Sequence, residues 1–277
     1  MALSCRCPRG YGTGPFAAST PAGRMDLLDI AIIAVAAFFG GALNAIAGGG
    51  SFLTLPALVF IGVPPVTANA TGTVALLPGY MASAWGFRDL LRAPPGGLPL
   101  WAVAAVSGIG GAIGAGLLLM TTDAAFSAIV PWLLLAATLL FAFGPKLLET
   151  LAKAGREISH GPALTGVAIL AVSIYGGYFN GGLGIVLLAV LRLLGEADIN
   201  VANGVKNLLS ALLTIIAVIL YAGGGVVAWA EVMPMAVAAV IGGYVAARVS
   251  RKVPPQWVRG VVVVTGAVMT VLFFVRG

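Results

Sequence analysis

Cutting the chain wherever charges or Gly/Pro clusters interrupt an apolar run leaves segments near residues 26–47, 51–62, 67–87, 99–120, 124–143, 163–180, 185–195, 201–221, 230–247 and 257–275. Eight of these are long enough to cross a hydrocarbon core of ~30 Å as helices. The other two, 51–62 and 185–195, would extend only about 17 Å at the 1.5 Å rise of an α-helix, so they are expected as re-entrant or half-helices. Windows such as LDIAIIAVAAFFGGALNAIA and GVVVVTGAVMTVLFFV carry almost no charge. The expected fold is therefore an all-α polytopic membrane protein.

The two short segments occupy corresponding places. GGALNAIAGGG (Gly40 to Gly50) superimposes on GGYFNGGLG (Gly176 to Gly184) at an offset of 136 residues, which puts Gly40, Gly41, Asn44 and Gly48 on Gly176, Gly177, Asn180 and Gly184. Further on, Gly62 and Ala68-Asn69 are echoed by Gly195 and Ala202-Asn203. The chain reads as two copies of one unit, 26–143 and 163–275, each with about four spanning helices and one short element, joined by a polar linker over 144–162. Residues 1–24 are rich in Gly, Pro and small polar residues and read as a disordered tail, with Met25 as an alternative start.

Each half holds either five crossings or one re-entrant hairpin plus three crossings. Both counts are odd, so the halves are expected to be inverted relative to each other. With both termini outside, Arg88, Arg92, Lys146, Lys153, Arg156, Arg248, Arg251 and Lys252 all fall on the cytoplasmic side, as the positive-inside bias requires. The linker is then cytoplasmic. The net charge of +6 is accounted for by these loops rather than by a nucleic-acid surface. Only 9% of residues are charged and 60% are hydrophobic, against roughly a quarter charged in soluble chains, which excludes a water-soluble particle. Both cysteines, Cys5 and Cys7, lie in the tail at a spacing that suits neither a disulfide nor zinc, and no metal or cofactor is expected.

The chemistry is expected at the helix breaks. A broken helix frees backbone N–H groups that hydrocarbon cannot satisfy, so they face protein or a water-filled cavity. Inverted halves bring the two breaks together near the midplane, where half-helix N-termini offer donors and partial positive charge to an anion. The candidate turns are Gly48-Gly49-Gly50-Ser51 and Gly181-Gly182-Leu183-Gly184. Asn44 and Asn180 precede them, either as ligand contacts or as caps for the freed backbone. Thr71 and Asn207 open the following helices and are candidates for the same cavity, with Asn69, Thr73 and Asn203; membrane threonines also bond back to their own helix.

Lys206 lies about one turn inside the run VANGVKNLLSALLTIIAVIL. It is either a fixed cation that attracts an anionic substrate or a side chain that snorkels to the interface. The substrate-binding set is thus Asn44, Gly48, Gly49, Gly50, Ser51, Thr71, Asn180, Gly181, Gly182, Lys206 and Asn207. Arg192 reads first as an interfacial anchor, Glu231 as a helix-start residue and His160 as a solvated loop residue. No HExxH, GxSxG, Walker A pattern or paired carboxylates occur in the apolar segments, so the chain does not read as an enzyme. With no ATP-binding domain in the sequence, transport is expected to be facilitated or gradient-driven, with proton coupling unassigned.

The segments GGALNAIAGGGSFLTLPALVFIGVPPVTANATGTVALLP and GGYFNGGLGIVLLAVLRLLGEADINVANGVKNLLSALLTI resemble the TauE/SafE-type sulfite exporter family, and the resemblance covers residues 26–275. Asn44 to Gly50 match the family's Asn-x-x-x-Gly-Gly-Gly pattern, and Gly181 to Gly184 are a looser version. The resemblance implies a permease of the bacterial cytoplasmic membrane that exports sulfite, sulfoacetate or related small sulfur-containing anions by alternating access. The competing reading is a non-transporting membrane scaffold or assembly subunit, in which the breaks only pack helices.

Overall fold

The computed structural model describes residues 25–93, 97–153, 161–196, 198–249 and 255–276. Among these, all regular structure is helical: α1 (Leu27–Ala47), α2 (Ser51–Phe60), α3 (Pro65–Gly86), α4 (Leu100–Met120), α5 (Asp123–Lys153), α6 (Pro162–Tyr178), α7 (Leu183–Leu193), α8 (Ile199–Gly223), α9 (Trp229–Val249) and α10 (Pro255–Arg276), with a 3-10 turn at Arg88–Leu90 after α3.

Local chemistry sets the boundaries. Gly48 ends α1 in the left-handed region (φ 75°), and its N–H bonds back to the carbonyls of Leu43 and Asn44, a glycine C-terminal stop. Prolines open α3, α6 and α10, where the missing N–H costs nothing. The Asp123 carboxylate, from the start of α5, accepts the Val66 N–H at 2.9 Å and so caps α3 from a distance of 57 residues. Asp198 caps its own helix, α8, by accepting from the N–H groups of Asn200 and Val201. Pro78 sits inside α3 and leaves the Val74 carbonyl without its intrahelical donor.

The helices pack through small residues. Gly41 lies against the backbone of Ala239 and Gly242 against that of Phe38, which joins α1 to α9; Gly177 against Gly111, and Gly114 against Ile174 and Tyr178, join α6 to α4. Contacts Ser107–Ser173, Gly110–Ile174 and Gly114–Tyr178 advance together, so α4 and α6 run parallel. By contrast, α5 and α10 are antiparallel, with Trp132 on Phe274 and Thr138 by Gly266. α3 and α8 are antiparallel too: Gly204 sits beside Phe87 and Leu90, while Thr71 reaches Ala228 just beyond the far end of α8. Exchanging α1–α5 with α6–α10 in order leaves the main pairings unchanged: α1·α9 becomes α6·α4, α3·α9 becomes α8·α4, and α2·α10 becomes α7·α5.

Four helices combine the length and apolarity needed to cross a membrane, over Leu27–Ala45, Leu100–Met120, Asn200–Gly223 and Trp229–Ala246. Their outer faces expose Leu27, Val35, Trp101, Met120, Ile219 and Met233, as a lipid-facing surface does. The short helices α2 and α7, of 10 and 11 residues, fall where the sequence places half-helices, and neither can span ~30 Å. Each folds back on its predecessor, with Gly40 against Gly50 and Thr54, and Gly176 against Leu183.

Two expectations change. The apolar run of α5 ends at Phe143, but the helix continues through Gly144 and Pro145 to Lys153, into the stretch read as linker. And because α8 starts at Ile199, Lys206 lies about two turns into it rather than one. The tail with Cys5 and Cys7, and His160, Arg156, Arg251 and Lys252 of the linker and loop readings, lie outside the described residues.

Candidate functional site

The two glycine turns meet. Gly48, at the end of α1, is so close to Gly184, in the first turn of α7, that a Cβ on Gly48 would fall 2.7 Å from the Gly184 Cα. These are the residues that superimpose in the internal repeat, so the contact joins equivalent points of the two halves. Glycine is required here twice over, by the positive φ of Gly48 and by the backbone approach.

Each turn leaves donors free. Neither Gly50 at the start of α2 nor Gly182 at the start of α7 has a side-chain cap. Among the described residues, no acceptor takes the N–H groups of Gly49, Gly50 and Ser51, or of Gly181, Gly182 and Gly184. These are the orphan N-terminal donors of short helices, sealed inside the protein rather than in water. Asn180 itself adopts φ 58°, the one positive-φ non-glycine among the described residues, and Gly182 follows at φ 70°. Asparagine tolerates this conformation better than other side chains, which gives a local reason for an amide at the break.

Both asparagines are buried and converge on consecutive residues of α3. The Asn44 amide faces Gly79, where an added Cβ would lie 3.7 Å from its Nδ2, and Asn180 Oδ1 accepts a hydrogen bond from the Tyr80 hydroxyl at 3.2 Å. One polar atom of each is left over: Asn44 Oδ1 and Asn180 Nδ2 are buried without a partner, as is the Ser51 hydroxyl. A buried amide group that lacks a partner carries a desolvation cost of about 1–3 kcal/mol, which a bound polar ligand would remove.

The remaining candidates divide. The Thr71 hydroxyl accepts the Ala228 N–H at 3.0 Å, tying α3 to the entry of α9. Thr73 bonds back to the Asn69 carbonyl at 2.8 Å, the ordinary fate of a helical threonine. Asn69 donates to the Tyr178 carbonyl at 3.0 Å, at the end of α6. Lys206 is only 8% exposed on α8, and no described carboxylate pairs with its ammonium. Asn207 beside it is equally buried. Arg192 donates to the Glu196 carbonyl past the end of α7, an anchoring contact away from the turns. Glu231 is buried in the first turn of α9.

Sequence reasoning missed three tyrosines that hold the second break. Tyr80 of α3 binds Asn180, Tyr175 of α6 donates to the Gly181 carbonyl, and Tyr221 of α8 donates to the Gly177 carbonyl. Tyr175 had a signal, since it directly precedes the repeated Gly176-Gly177 pair. Tyr80 and Tyr221 had none, because each sits alone in an apolar run.

A family model described as "Sulfite exporter TauE/SafE" matches residues 33–273. A "Probable membrane transporter protein" of Haemophilus influenzae is 29% identical over 255 residues, covering 89% of this chain and 94% of its own. The "Probable membrane transporter protein YfcA" of Escherichia coli K12 is 27% identical over 244 residues, covering 87% and 88%. The "Probable membrane transporter protein ORF9" of a Sinorhizobium species is 34% identical over 121 residues, covering 43% and 44%. No solved structure matches the chain.

Proposed function

Because the chain belongs to the sulfite exporter TauE/SafE family of membrane transporters, we propose that it is a secondary transporter of small sulfur-containing oxyanions, such as sulfite or an organosulfonate, working by alternating access between two inverted repeats. The observation that carries this reading is the meeting of Gly48 with Gly184, which sets two half-helix N-termini side by side inside the protein. Their unused N–H groups, at Gly49, Gly50, Ser51, Gly181 and Gly182, are donors only, and the leftover Asn180 Nδ2 adds another. An oxyanion offers acceptors only, and the dipoles of both short helices favour its charge. Lys206 and Asn207 add positive charge and donors along α8, and Asn44 orients the first turn. Thr71, whose hydroxyl also holds α3 against α9, stays in the substrate-binding set.

The antiparallel pairing of α3 with α8 and of α5 with α10, each with its own counterpart, supports inversion of the repeats. That arrangement suits a carrier in which one half rocks against the other about a central site. The protein would sit in the bacterial inner membrane with both termini outside. Proton coupling is a separate question that the flux experiment addresses.

The test is uptake of radiolabelled sulfite, sulfate and sulfoacetate into proteoliposomes, with and without an imposed pH gradient. Saturable flux of one of these anions is expected, with a gradient dependence if protons are coupled. Failure of these and of a wider anion panel, with correctly inserted protein, would sink the carrier reading and favour a scaffold role.

A further inference from the structure

α8 carries more polar groups than a packed membrane helix needs. Asn203, Lys206, Asn207, Ser210 and Thr214 recur at spacings of three and four, so they share one face of the helix. Ser210 is 1% exposed and Thr214 0%, and neither hydroxyl has a hydrogen-bond partner. Elsewhere in the chain Thr73, Thr121 and Thr270 satisfy themselves on the carbonyl four residues back. Ser210 and Thr214 do not, and like Thr54, Thr138 and Thr165 they leave buried hydroxyls unused; these two lie on the face that carries Lys206 and Asn207.

This face borders a seam between two apolar clusters. Val201, Ala202, Val205, Leu209 and Leu213 of α8 belong to one apolar cluster, together with Leu183, Leu187 and Leu191 of α7. Ala211, Ala217 and Tyr221 belong to a second cluster, built mainly from the first half and including Phe179. Ser210 and Thr214 fall on the side of the second set, flanked around the helix by Ala217, Tyr221 and Ala211, and Lys206 falls between the two sets. The second break crosses the same seam, because it passes from Phe179 in one cluster to Leu183 in the other through Asn180, Gly181 and Gly182. Tyr221, two turns on from Thr214 and on its face, donates to the carbonyl of Gly177 just before that break. The ladder on α8 therefore points toward the free N–H groups of the second turn.

We propose that Ser210 and Thr214 are substrate-contacting residues: with Lys206 and Asn207 they form a ladder of donors that passes an acceptor-only oxyanion along α8 between its Lys206 end and the second glycine turn. The ladder is one-sided. In the internal repeat Lys206 and Ser210 correspond to Gly72 and Leu76 of α3, while Asn207 and Thr214 fall on Thr73 and Tyr80, whose hydroxyls are taken up by Asn69 and Asn180, so the side-chain ladder belongs to the second half. This inference rests on the anion-carrier reading and adds its path.

Single cysteines test it. In a Cys5→Ser/Cys7→Ser background, which removes both native thiols, Ser210→Cys and Thr214→Cys should react with the anionic reagent 2-sulfonatoethyl methanethiosulfonate at least about tenfold faster than Leu209→Cys and Leu213→Cys. They should also prefer it to the trimethylammonium analogue, and Lys206→Gln should abolish that preference. Equal reactivity at all four positions, or a preference untouched by Lys206→Gln, would overturn the ladder. Ser210→Ala and Thr214→Val, which keep the size of the side chain, should each raise the KM for the transported anion about tenfold, the scale of one hydrogen bond to a charged group. An unchanged KM in both would also overturn it. Flux without selective labelling would discard the ladder and keep the carrier, whereas selective labelling without any flux would discard the carrier.

Discussion

At the scale of single residues, Gly48 combines a left-handed backbone with a close backbone contact. An alanine there meets two separate obstacles: its φ of 75° costs an L-residue about 1–2 kcal/mol, and its Cβ would press on Gly184. Gly62 has a similar φ, 94°, but open space around it. Gly48→Ala should therefore lower the melting temperature in detergent more than Gly62→Ala and stop anion flux, while Gly62→Ala keeps flux. Equal flux in the two variants would mean that the meeting of the turns is incidental. Tyr221→Phe tests a different contact, since it strips the Gly177 carbonyl of its donor next to the second break. A loss of about 1–3 kcal/mol in unfolding free energy is expected, the usual cost of a buried group left unpartnered. An unchanged denaturation midpoint would count against the tie. The glycines and asparagines of the breaks were legible in the sequence because they recur in both halves, and repetition separates a helix break from ordinary small-residue packing. The tyrosines do not recur. Tyr221 finds its acceptor 44 residues away, and a lone aromatic hydroxyl near the end of an apolar run reads most naturally as an interface anchor.

At the scale of elements, α4 shows how one helix separates glycines that packing requires from those it merely tolerates. A Cβ on Gly114 would run into the Ile174 carbonyl and lie 2.7 Å from the Tyr178 nitrogen, so Gly114→Ala must push α4 away from α6. Gly116, half a turn on, has nothing within 4 Å. Gly114→Ala should destabilise by about 1–3 kcal/mol through overpacking, whereas Gly116→Ala should be neutral or gain up to about 1 kcal/mol of helix propensity. Thermal unfolding of the two variants decides the matter, and equal melting points would contradict the α4–α6 packing. The half-helices were visible from length alone, because 10 or 11 apolar residues cannot reach across a bilayer whatever surrounds them. The far end of α5 was not. Gly144 and Pro145 end its apolar run, but Leu, Glu, Lys and Ala beyond them are good helix formers, and the helix carries on to Lys153. A hydropathy boundary marks where the membrane-like composition stops, which need not be where the backbone stops being helical.

For the whole molecule, the question is which way each half faces, and Trp101 and Trp229 put it in a form that can be measured. They open α4 and α9, corresponding helices of the two halves, and both are exposed at the outer surface, where tryptophan favours the boundary between lipid and water. If the halves were related by an axis along the membrane normal, both residues would lie on the same side. Inversion would put them on opposite sides, and the cationic bias of the loops gives the expected orientation: α3 leads into Arg88 and Arg92, so α4 is expected to begin in the cytoplasm and α9 outside. In intact cells, with Cys5 and Cys7 replaced by serine, Trp229→Cys should be labelled by a membrane-impermeant maleimide, and Trp101→Cys only after permeabilisation. Labelling of both from one side would contradict inversion and, with it, the rocking of one half against the other. The reverse assignment, with Trp101 outside, would keep inversion and overturn the orientation. It would also turn the Lys206 end of the α8 ladder to the outside, since Gly204 sits beside Phe87 and Leu90 at the same end of the bundle as the start of α4. The anion would then meet its fixed positive charge from the periplasm.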